Sequence, residues 1–169
     1  MPSTRLLIAS LLILASAFDV LAQDVAPLVE SSDTHYYDFW VGRWAVVKEG
    51  AVDPAGPTFT VTRGVHAAAV EETWGGAIDA RAFRTWDKTA GRWMHVWVSA
   101  NGLFQVWEGR RVGKDWYMFK EFEINGDRYL SRQGILRVDE SRAVRISERS
   151  DDGGQTWTVR FREELQRIR

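Results

Sequence analysis

The chain has 169 residues, a formal charge of −1, nine tryptophans and no cysteine. Its cations and anions are scattered rather than massed, which excludes the concentrated basic surface that phosphate backbones require and so argues against a nucleic-acid partner. Without cysteine there is no disulfide and no lipid-modified Cys, so an exported form must be held together by its core alone.

Residues 1–22 have the marks of a signal peptide: an early cation at Arg5, the apolar run LLIASLLILASA, and a Val20-Leu21-Ala22 ending suited to signal peptidase. The run is about a dozen residues, short of the roughly 20 needed to cross a bilayer as a helix, and no second run follows. The expectation is a periplasmic or secreted protein with no stable membrane insertion after leader removal. Removing 22 from 169 leaves 147 residues, the size of one domain. Arg5 and Asp19 cancel, so the mature chain keeps a charge of −1. Residues 23–35 are polar and aperiodic, and are expected to form a flexible lead-in to a domain spanning 36–169.

From there the sequence alternates short β-rich runs with turn formers at intervals of about ten residues, the pattern of an all-β barrel or sandwich. Strands are expected at 39–47, 58–64, 67–74, 80–86, 92–99, 103–110, 115–124, 128–138, 143–149 and 156–165. Between them lie Asp53-Pro54-Ala55-Gly56-Pro57, Gly75-Gly76, Asp87 to Gly91, Asn101-Gly102, Asn125-Gly126 and Asp152-Gly153-Gly154. All are turn chemistry, and Asn-Gly favours the positive-φ hairpin turn. Neighbouring strands therefore pair as one antiparallel meander. Ten strands in a row would leave two exposed edges, which closure into a barrel removes.

Within the last turn, SDDGGQTW (150–157) has the spelling of an Asp-box, the hairpin motif repeated through sialidase propellers. Such a loop needs an Asp that accepts backbone N–H groups (Asp152), a Gly tolerant of positive φ (Gly154), and a Trp packed beneath (Trp157). A propeller requires several copies over several hundred residues. A single copy here predicts a structural turn rather than a glycosidase.

The opening strand carries Gly42-x-Trp44, the Gly-x-Trp that begins lipocalin-like and other calycin barrels. More specifically, the chain resembles an uncharacterised bacterial family with a DFWxGxW opening signature, matched by Asp38, Phe39, Trp40, Gly42 and Trp44. The likeness continues through VEETW, AFRTWD, GRWMHVWVSANG and SDDGGQTW. Arg43 stands where an acidic residue is expected, at a position read as outward-facing. The resemblance implies a calycin-like barrel of about ten strands in which a basic residue of the final strand packs over Trp44. Arg160, Arg162 and Arg167 are the candidates.

Alternate residues of each barrel strand face inward, and an interior of this size accommodates one small ligand. In RWMHVWVS one phase is Trp93, His95, Trp97 and Ser99, and the other is Met94, Val96 and Val98. The first mixes aromatic and polar groups as binding cavities do. Similar sets are Val70, Glu72 and Trp74; Ala82, Arg84 and Trp86; Gln105 and Trp107. The expected ligand-binding residues are therefore Glu72, Trp74, Arg84, Trp93, His95, Trp97 and Trp107. The competing view has Glu72 and Arg84 as exposed strand residues, His95 as a hydrogen-bonded core histidine and the tryptophans as core.

The expected function is binding of a small hydrophobic or amphipathic molecule, with no cofactor. One alternative is a cofactor-independent isomerase, cyclase or hydrolase using His95 and Glu72 as acid and base. A second is a protein-interaction module with a filled interior. His35, His66 and His95 are too scattered for a zinc site. The C-terminal strands lack the histidine that would hold haem as in nitrobindin-like barrels.

Overall fold

The computed structural model describes residues 32–169 except His66 and Ala77. The expected leader and the lead-in up to residue 31 lie outside the described residues. A 3-10 helix, Ser32–Trp40, precedes eleven strands: β1 Gly42–Lys48, β2 Ala51–Val52, β3 Thr58–Gly64, β4 Ala69–Trp74, β5 Ala80–Asp87, β6 Arg92–Ser99, β7 Phe104–Val112, β8 Asp115–Ile124, β9 Asp127–Arg137, β10 Arg142–Ser150 and β11 Thr158–Ile168. Strands β3 to β11 pair consecutively and β3 also pairs with β1. The circle closes where β11 meets β1, antiparallel from Arg43↔Ile168 to Val47↔Glu164. The two-residue β2 is an extra strand hairpinned onto β1. The architecture is therefore the expected ten-stranded antiparallel meander barrel with no free edge along the circuit.

Turn chemistry dictates these reversals. Asn125 and Gly126 both adopt positive φ, 53° and 82°, and join β8 to β9 as a two-residue hairpin. In the β10–β11 loop, Gly153 and Gly154 take φ of 72° and 99°. The Asp152 carboxylate accepts the Gln155 and Thr156 backbone N–H groups at 2.9 Å and the Thr156 hydroxyl at 2.6 Å. Those donors hold its pKa well below the usual carboxylate range. Trp157 donates Nε1–H to the Gly154 carbonyl. Its ring lies against Phe119 and beneath the Arg132 guanidinium, on the outer face of β8 and β9. The SDDGGQTW segment is a self-satisfied turn.

One expectation changes at the start of the domain. Phe39 and Trp40, read as strand, end the 3-10 helix instead, and residues 32–35 of the expected lead-in begin it. In a 3-10 helix side chains at i and i+3 eclipse, so Tyr37 and Trp40 point the same way, and both are fully buried. The helix forms a plug. Tyr37 donates its hydroxyl to the Trp116 carbonyl, Trp93 donates Nε1–H to the Asp33 carbonyl at 2.7 Å, and Tyr36 reaches Asp115 at 2.8 Å. Burial pushes the Tyr37 phenol up to about 12, against the opposing pull of nearby Arg84.

The first strand is fastened to the last by the GxW element. Arg167 lies over the Trp44 ring, Cζ 4.6 Å from its centroid. It donates to the backbone carbonyls of Phe39, Val41 and Glu140. Of the three candidate arginines, Arg167 is therefore the one on the tryptophan. Gly42 adopts φ +145°, and a Cβ there would run into the Arg167 guanidinium.

Candidate ligand site in the barrel lumen

The inward phase follows from which alternate residues are sealed. On β6, Trp93 and His95 are buried while Val98 of the other phase is 45 % exposed. Registers carry that phase round the wall: Glu72↔Ala82↔Trp97↔Gln105 across β4 to β7, and Val70↔Arg84↔His95↔Trp107 beside it. All seven expected ligand-binding residues thus project from the interior face.

They do not form the accessible part of it. Glu72, Arg84 and His95 are 2 %, 4 % and 1 % exposed, and Trp74, Trp93 and Trp107 are also buried. Only Trp97 is half-buried. Glu72 and Arg84 are not the exposed strand residues of the competing view. The Glu72 carboxylate accepts Trp40 Nε1–H on Oε1 and Trp74 Nε1–H on Oε2, each at 3.0 Å, and ion-pairs with Arg84 Nη1. Two indole donors and a guanidinium compensate its desolvation. Arg84 in turn lies 5.2 Å over the Tyr37 ring. The pair joins plug to wall.

His95 sits beside this pair. Its Nδ1 is 3.2 Å from the Phe83 carbonyl, which assigns the proton to Nδ1 and leaves the lone pair on Nε2. Burial, reinforced by the Arg84 charge, holds its pKa well below that of a free histidine, so the ring is neutral.

Away from the plug some interior positions open to solvent, while others, Trp74, Ala82, Ser131 and Ser147 among them, stay sealed. On β7, Trp107 is sealed but Gln105 is half-buried; on β8, Trp116 and Met118 are sealed but Lys120 and Phe122 are not. The same passage runs from Ile135 to Gln133 on β9, Ala143 to Arg145 on β10, and Leu165 to Glu163 on β11. These side chains share the phase of the core, through Met118↔Gln133, Ile135↔Arg145 and Arg145↔Glu163. Arg145 lies 4.8 Å over Trp74 and 5.0 Å over Phe161, with Nη2 2.7 Å from Glu163 Oε2. Its Nε is buried with no hydrogen-bond partner.

Lys120, Phe122, Gln133, Arg145 and Glu163 were not among the sequence candidates. A signal existed for Arg145 and Glu163: each is a charged residue in phase with apolar neighbours, Ala143 and Leu165 respectively. In DWYMFKEFEI both phases are aromatic, so alternation there leaves the direction of Lys120 open.

Fold and lumen together define a closed antiparallel barrel, consistent with a calycin-like fold, plugged at one end and lined with aromatic and ionisable groups. No protein-family model matches the chain, and no curated protein matches it. Among the described residues no three His, Cys, Asp or Glu side chains come together as a metal site. No helix among them is long and apolar enough to cross a membrane.

Proposed function

We propose that this barrel binds one small apolar or amphipathic molecule in the half of its lumen remote from the helical plug, and that it does so as an exported protein after removal of residues 1–22. The carrying observation is a set of half-buried inward-phase positions away from the plug, where Trp97, Phe122 and a few placed polar groups meet solvent within a closed wall. The DFWVGRW opening, with Arg167 seated on Trp44, supports placing the chain with the barrels that share that signature. The acid–base alternative is less favoured, because both Glu72 oxygens already hold indole donors and His95 is buried.

The test is titration of the purified chain with the neutral fluorophore N-phenyl-1-naphthylamine. The expected result is saturable quenching of tryptophan emission at one probe per barrel, weakened about tenfold in Trp97→Ala. Absence of saturable binding overturns the proposal. Native mass spectrometry of protein purified from its own host tests the same proposal independently, a co-purifying small molecule being the expected result.

A second reading has a specific observation of its own. Phe83, Val98, Phe104 and Val106 are exposed on the outer face, Phe104 at 70 %, and the registers Phe83↔Val96↔Val106 and Val98↔Phe104 make them contiguous with half-buried Val96. Such a patch fits a protein-interaction surface. Sedimentation of the wild type against Phe104→Glu reads it directly: identical monomeric profiles at all concentrations count against self-association through this face.

A further inference from the structure

We propose that the lumen selects an anionic head group through Lys120, so that the ligand is a single-chain amphipathic anion rather than a neutral apolar molecule. This deepens the binding reading above and rests on it.

The inference follows from matching the interior charges. Glu72 is ion-paired with Arg84, and Glu163 with Arg145. Arg167 spends its donors on backbone carbonyls, His95 is neutral, and Arg149 is held by Asp127 and Asp151. Two cations remain at this end: the exposed Arg160, whose guanidinium lies 5.7 Å over Tyr129, and the half-buried Lys120. Lys120 shares the inward phase of Met118 and Phe122, stands opposite Ser131, and is half-buried. No carboxylate among the described residues pairs with it. Its ammonium lies 5.4 Å over the Phe122 ring, which offsets only part of the lost hydration.

The surroundings complete an amphipathic site. Phe122 packs against Trp107 at 5.5 Å, Trp107 donates Nε1–H to Gln105, and Gln105 faces Trp97 across β6 and β7. An apolar wall therefore adjoins a half-buried cation without a carboxylate partner, in a partly desolvated space. Charge attraction there is stronger than in water, and an arriving anion restores what the ammonium lost. A carboxylate and a sulfate ester offer the same chemistry.

The experiment displaces N-phenyl-1-naphthylamine from the full chain with decanoate, decyl sulfate and 1-decanol. One of the anions is expected to displace the probe at a concentration about tenfold lower than decanol, as a charge-assisted contact predicts, and which anion does so names the head group. In Lys120→Met that advantage disappears, while decanol and the probe bind as before. In Lys114→Met, altered at an exposed turn, it persists. Equal displacement by all three in the wild type, or an anion advantage that survives in Lys120→Met, overturns the head-group inference while leaving ligand binding intact. Failure of the probe itself to bind overturns the binding reading instead.

Discussion

Arg167 of the last strand lies over Trp44 of the first, with Cζ 4.6 Å from the ring centroid and its N–H groups directed at three backbone carbonyls. A lysine cannot reproduce that planar fork. Arg167→Lys is expected to cost about 2–3 kcal/mol of unfolding free energy, the scale of charged hydrogen bonds lost without replacement. Arg160→Lys and Arg162→Lys, at exposed positions, should stay within about 0.5 kcal/mol of wild type. Denaturant titration of the three variants decides the matter, and equal midpoints would remove the special place given to Arg167.

Glu72 and Arg84 make a second prediction. Breaking a buried pair by removing one charge leaves the other stranded, so Glu72→Gln is expected to destabilise by about 3–5 kcal/mol. Combining it with Arg84→Met removes the stranded guanidinium and should recover part of the loss. A double variant whose loss equals the sum of the two single losses would show that the two side chains are energetically independent.

His95 supplies the pH dependence. Its folded pKa is depressed by burial and by Arg84, whereas the unfolded chain takes up a proton near pH 6.5. Between those two values the unfolded state binds more protons than the folded one. The stability His95 contributes is therefore complete above about pH 6.5 and is lost as pH falls through that window toward the depressed value, with a slope approaching about 1.4 kcal/mol per pH unit. Unfolding measured from pH 7.5 down to 5.5 should show this decline in the wild type and a flatter profile in His95→Gln. Parallel profiles would assign the decline to other groups.

The Asp152 turn is predicted to be structural only. Asp152→Ala removes the acceptor of the Gln155 and Thr156 amides, so hydrogen exchange of those two amides should quicken while probe binding in the lumen keeps its wild-type affinity. Loss of binding in this variant would bring the loop into the site.

Much of the wall was legible because its signals are local. The runs at 58–64, 92–99 and 115–124 coincide with β3, β6 and β8, and the Asp152 loop closes through the contacts its spelling requires. Two features were not legible, for different reasons. The plug is made by YYDFW, an aromatic cluster with neither clean alternation nor helical spacing, whose conformation is decided by the barrel mouth it fills. Which interior side chains stay open to solvent is a property of the assembled tube and its plug, so Trp107, His95 and Ser131 are sealed while Lys120 and Arg145 are not.

The seam between β1 and β11 unites residues 126 positions apart, as the bond from Arg43 to the Arg169 carbonyl shows. A nascent chain can form every other hairpin of the meander as it emerges, but this contact waits for the final segment and carries the full loop-closure entropy. Until then the sheet presents two unpaired borders able to recruit strands from neighbouring molecules. Deletion of the eleven-residue β11 should accordingly yield aggregation rather than a smaller barrel.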